Sequence, residues 1–221
     1  MTITVPTSLE DISLEKWIKF DAINKEGSDE DFLIDKMIEI FCDLDLKDVS
    51  KIPFADAQDI YKDLVDVLNE EANFQPIINV NGVDFGFIPN LNEITLGEFV
   101  DLDNYLLNTK DLNKAMAVLY RPITYRSKDL YRIEEYDNPD KYKDVLSKES
   151  VSYATGAVVF FYRLSNELTR HSLFSSLTTI EEERNKKTIA QKDNSLRNTA
   201  GSPVSTPYVK ETLLNLIKSL N

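Results

Sequence analysis

After Ser13 the apolar residues fall at three- and four-residue intervals, at Leu14, Trp17, Ile18 and Ala22. That spacing predicts an amphipathic helix, capped by the Ser13 hydroxyl and stopped near Gly27. A second helix is expected from Ser28 or Asp29, since Ser28 and Asp31 have the spacing of a capping box, with Phe32, Leu33, Met37, Ile40 and Phe41 as its buried stripe. Leu44 to Ile52 reads as a short turn or helix interrupted by Pro53, and Ala57, Ile60, Leu64 and Val67 mark a third helix. Residues 1–75 therefore read as a helical unit.

The pattern then changes period. Pro76 to Val80 and Val83 to Ile88 are rich in branched and aromatic residues and flank Asn81-Gly82, the dipeptide that supplies two positive φ angles to a tight hairpin. Thr95 and Glu98 form a second capping-box signature, opening a helix through Phe99, Leu102 and Leu106. A helix from Leu112 to Tyr120 should stop ahead of Pro122, and Ile123–Arg126 with Leu130–Ile133 bracket a polar trio that suggests a second hairpin. The most apolar helix is expected over 153–176, opened by Ser152 and carrying Ala157, Val158, Phe160, Phe161, Leu164 and Leu168. With the hairpins it makes a core over 76–177.

Residues 178–207 are polar and read as a linker, and residues 208–221 carry Val209, Leu213, Leu214 and Ile217 on one helical stripe, too short to be stable alone. Such a stripe is a docking surface, and Leu214→Asp is expected to weaken assembly without unfolding the body. The expected fold is thus α+β and mainly α-helical. It has a helical N-terminal unit, two β-hairpins packed with helices around a long apolar helix, and an extended C-terminal arm ending in a short helix.

Composition narrows the partners. Of the 221 residues 42% are hydrophobic and 29% charged, a globular balance, and the net charge of −13 opposes phosphate backbones and anionic lipid. Direct nucleic-acid binding is disfavoured. The start of the chain lacks the charged and apolar regions of a signal peptide, and the longest apolar stretch, Ala154 to Leu164, is about half of what crosses a bilayer, so no membrane role is expected.

Candidate chemistry is thin. Cys42 is the single cysteine, which excludes an intramolecular disulfide and a cysteine zinc site, and the lone His171 has no acidic neighbour at helical spacing. A Cys42–His171 nucleophilic pair is weaker as a reading than a buried core cysteine. The pairs Asp43 and Asp45, Asp101 and Asp103, and Glu134, Glu135 and Asp137 match no calcium loop, and the scattered glycines make no phosphate loop. Arg121, Arg126 and Arg132, interleaved with Tyr120, Tyr125 and Tyr131, read as a salt-bridge surface, within the chain or between subunits. No catalytic, metal or cofactor site is expected. The aromatic series Phe85, Phe87, Phe99, Tyr105 and Tyr120 reads as core.

Five stretches carry a resemblance: Ile40–Cys42, Asn81–Pro89 (NGVDFGFIP), Ile94–Leu102 (ITLGEFVDL), Ala115–Ile123 (AMAVLYRPI) and Gly156–Tyr162 (GAVVFFY). Over about residues 14–175 the chain resembles a family encoded by tailed bacteriophages, especially crAss-like phages of Bacteroidetes. The resemblance implies a non-enzymatic virion structural protein, in tail, connector or interior, assembled in the host bacterial cytoplasm. Its partners would be other phage structural proteins or further copies of itself. A tail-assembly chaperone absent from the mature particle, and a small phage enzyme with a carboxylate site, are the competing readings.

Overall fold

The computed structural model describes residues 2–27, 29–128 and 130–164. Four helices lead, α1 (Leu14–Lys25), α2 (Glu30–Phe41), α3 (Leu46–Val49) and α4 (Phe54–Leu68). The Ser13 hydroxyl accepts from the Lys16 N–H to cap α1, and the chain leaves that helix through Gly27 at φ +74°. The capping role expected of Ser28 lies outside the described residues.

Two buried stripes differ from their sequence expectation. In α1 the inward position after Leu14 and Trp17 is Asp21, while Ala22 is exposed. Thr109 Oγ1 donates to the Asp21 carboxylate and Lys25 Nζ lies 2.8 Å from it, so the buried charge has two partners and ties α1 to the Thr109–Asp111 turn. In α2 the buried residues are Met37, Ile38, Ile40 and Phe41, whereas Phe32 lies at the surface with Lys36 Nζ 5.6 Å from its ring centroid.

Strands β1 (Ile77–Val80), β2 (Val83–Phe87), β3 (Tyr120–Ser127) and β4 (Leu130–Ile133) form one antiparallel sheet in the order β1-β2-β3-β4. Asn81 at φ 51° and Gly82 at φ 83° make the turn between the first two, as the dipeptide requires. The two expected hairpins are therefore not separate. β2 pairs with β3 through Phe85 opposite Pro122, Gly86 opposite Arg121 and Phe87 opposite Tyr120.

Helices α5 (Leu96–Tyr105) and α6 (Leu112–Leu119) lie between those paired strands in the chain. Strand β3 follows α6 with no intervening residue, beginning two positions before Pro122. Pro122 has no N–H to give, but its carbonyl accepts from the Glu134 N–H at 2.9 Å, and a register shift between Ile123 and Tyr125 relaxes the ladder just beyond it.

The core gathers on α6, where Leu112, Ala115, Met116, Ala117, Val118 and Leu119 are all buried. After α7 (Lys143–Leu146) comes α8 (151–164), whose first residues Val151, Ala154, Ala157 and Val158 are buried too. Its expected continuation to 176, the linker over 178–207 and the docking helix over 208–221 lie outside the described residues.

The chain ahead of α1 is bound to the chain ahead of α8. Leu14 N–H donates to Glu149 O, Glu15 N–H to Ser147 O and Val151 N–H to Ile12 O, each at 2.8 Å. Residue 75 is consequently a change of element type, and the leading helices share one compact unit with the sheet.

Tyr131, one residue from the β3–β4 turn pair Ser127–Leu130, anchors the hairpin to β2. Its hydroxyl donates to Phe87 O at 2.8 Å, and its ring lies on Gly86, where an added Cβ would clash with Cε2. Gly86→Ala should displace that ring and cost about 1 kcal/mol, the usual net value of one hydrogen bond. Urea titration should show a lower midpoint at constant slope; an unchanged midpoint would mean that the ring can move at no cost.

Candidate interaction surface

Helix α5 is locked at its first turn by the expected capping box. Thr95 Oγ1 accepts from the Glu98 N–H at 3.2 Å, and Glu98 Oε2 accepts from the Thr95 N–H at 2.7 Å. The same carboxylate reaches into the protein, where its Oε1 lies 2.5 Å from Arg121 Nη1, and both side chains are buried. Burial by itself raises the Glu98 pKa, but the hydrogen bonds from Thr95 and Arg121 outweigh it and hold the group below its ordinary value.

The Arg121 guanidinium carbon stands 5.4 Å from the centre of the Tyr136 ring, and the Tyr136 hydroxyl donates to Asp101 on the next turn of α5. Burial and the adjacent carboxylate push that hydroxyl's pKa upward. The inner side of α5 is thus held by Glu98, Asp101 and the buried Leu102.

With that side fixed, a second apolar stripe of α5 is left in solvent. Leu96 is 78% exposed, Phe99 50% and Val100 46%. With the partly exposed Asp103 they stand at i, i+3, i+4 and i+7, which places them on one helix face. Phe99, expected in the core, belongs to this outer face because Glu98 and Leu102 occupy the inward positions. The signal was available in the sequence, since α5 carries apolar residues around more of its circumference than one core contact can cover.

A second exposed face lies on the far half of the β3–β4 hairpin. Tyr125 is opposite Arg132 and Ser127 is opposite Leu130 in the register, so alternation puts all four on one side. Tyr125 is 59% exposed and Leu130 77%, and Arg132 is exposed with no ion pair among the described residues. On the opposite side Arg126 lies 3.5 Å from Asp84.

The three arginines grouped in the sequence are therefore divided. Arg126 and Arg132 are on the exposed hairpin, whereas Arg121 turns inward to Glu98 and is not available to a partner. The reason is that β3 begins covered on both sides, at Tyr120 and Arg121, and then runs out into solvent. The C-terminal candidates Val209, Leu213, Leu214 and Ile217 lie outside the described residues, as does His171.

One carboxylate of each sequence group has a local partner: Asp43, Asp101 and Glu134. Asp43 sits 2.5 Å from Lys16 at a surface cleft of about 530 Å³ that Glu15, Lys19, Glu39 and Asp45 also line. Glu134 pairs with Lys141 and accepts from the Tyr142 hydroxyl. Among the described residues no three acidic, histidine or cysteine side chains are grouped to hold a metal ion, and no helix is long and apolar enough to cross a membrane. Burial raises the pKa of the Cys42 thiol, opposite to the direction that makes a nucleophile. Comparison of the chain with protein-family models, curated proteins and solved structures gives no match.

Proposed function

We propose that this chain is a structural component of a tailed-bacteriophage particle, acting through protein–protein contact and not through catalysis. The observation that carries the reading is the outward apolar stripe Leu96, Phe99 and Val100, on a helix held from within by a buried ion pair. Large apolar side chains grouped on a rigid element are what a protein interface uses, and they are costly to leave in water otherwise. The resemblance to phage structural proteins over about residues 14–175 supports the same reading from the sequence side.

The test is the protein content of purified particles. Mass spectrometry should find the chain in a fixed ratio to known particle subunits, with a copy number set by the symmetry of its position. Recovery only in complexes with unassembled tail subunits, and none in finished particles, would replace this reading with that of an assembly chaperone.

A further inference from the structure

Two exposed faces on one chain differ in charge. The β3–β4 face offers Tyr125, Leu130 and Arg132; Arg132 and the turn residue Lys128 are exposed without an ion pair among the described residues, while Arg126 pairs with Asp84 on the other side and Arg121 is buried against Glu98. The surroundings are strongly acidic, since residues 1–164 contain 32 Asp and Glu against 17 Lys and Arg, a net of −15. The α5 face offers Leu96, Phe99 and Val100, with Asp103 at the end of the same stripe and Glu93 just before it, and neither carboxylate has an ion pair among the described residues.

We propose that the β3–β4 hairpin face of one copy docks on the α5 face of a second copy. Among the described residues both faces are exposed, and neither covers the other. The chemistry is complementary: an aromatic and a leucine meet an apolar helix stripe, while Arg132 meets Asp103 or Glu93. Tyr and Arg are also the residues that most often concentrate binding energy at interface centres.

Net charge gives a reason for a second copy to use these two faces. Copies of −13 repel one another at long range, so contact between them requires a local region of opposite sign. Because the two faces differ, the contact is head-to-tail, closing into a ring or continuing as a filament according to the rotation between copies. This inference rests on the structural reading above and names its partner.

Sedimentation velocity on the purified full-length chain tests it with two variants. One carries Tyr125→Ala with Leu130→Asp, and the other carries Leu96→Asp with Phe99→Asp. All four positions are exposed, and circular dichroism should match the wild type. The unmodified chain should associate with rising concentration. Each variant alone should stay monomeric, and an equal mixture should form a heterodimer that grows no further, because each partner retains one intact face. Adding Asp103→Arg to an Arg132→Asp chain should recover association that either change alone reduces at least tenfold. A wild-type chain that is monomeric up to millimolar concentration would overturn the proposal, as would a mixture of variants that stays monomeric. Either result could coexist with the chain's presence in purified particles, so the two readings fail separately.

Discussion

Arg121→Ala is expected to lower the free energy of unfolding by about 3–5 kcal/mol, because it strands the Glu98 carboxylate in a site with almost no water. Neither Arg121 Nε nor Nη1 has a well-formed hydrogen bond among the described residues, so the pair relies on the close charge contact of Nη1 with Glu98 and on the Tyr136 ring face. Replacing both charges, as Arg121→Met with Glu98→Leu, should recover most of the loss, since a dry apolar pair avoids two desolvation costs. Chemical denaturation of the three proteins measures this directly. A double replacement as unstable as the single one would mean that the ion pair contributes more than packing can replace.

The same pair fixes a pH dependence. Glu98 titrates below its ordinary value of 4.5 in the folded protein, so the unfolded chain binds its proton first as pH falls. The contribution of the carboxylate is complete above that ordinary value and disappears as pH drops through the lower, folded value. The stability difference between wild type and Glu98→Gln should therefore be largest near neutral pH and narrow in acid. An equal difference at about pH 7 and pH 3 would remove Glu98 as the source.

Gly156→Val is expected to be nearly as damaging, at about 3 kcal/mol, the upper end for overpacking a core. A Cβ at Gly156 in α8 would lie 2.7 Å from Asn73 O and 2.9 Å from Asn73 C, both backbone atoms of the segment that leads into β1. Side-chain rotation cannot relieve that contact, so the helix or the segment must move. Gly97→Ala in α5 is the control: its nearest neighbour is Thr95 Oγ1 at 4.0 Å, and gaining a better helix former there should stabilise by up to about 1 kcal/mol. Thermal melts of the two variants should shift in opposite directions; equal losses would mean that the close approach to Asn73 is not what singles out Gly156.

Much of the secondary structure was legible because its signals are local. The Ser13 cap, the Thr95–Glu98 box and the Asn81-Gly82 turn each depend on side chains within a few residues of one another, and each forms as their spacing implies. The joining of the two hairpins was not legible, since it depends on Phe85, Gly86 and Phe87 meeting Tyr120, Arg121 and Pro122 across the excursion of residues 88–119. Pro122 even argues against a strand locally, and only the following bulge and the carbonyl bond to Glu134 accommodate it.

The candidate surface was half legible for a similar reason. Periodicity marks Phe99 as apolar-face material but cannot tell which of two apolar stripes the core will take, and the buried Glu98–Arg121 pair decides it. The arginines show the same limit: on one strand, Arg121 and Arg126 part company because a strand that starts in the core runs out into solvent. Asp21 is the converse case, a charge that sequence reading leaves outside and that Thr109 and Lys25 draw in.

The direct passage from α6 into β3 leaves the chain no slack at Leu119–Tyr120. One residue inserted there would turn the helix by about 100° relative to the strand or reverse which side of the sheet every β3 side chain faces. Length changes should therefore be absent from this junction in any functioning variant, and collect instead at exposed turns such as Asn81–Gly82, where extra residues disturb nothing packed.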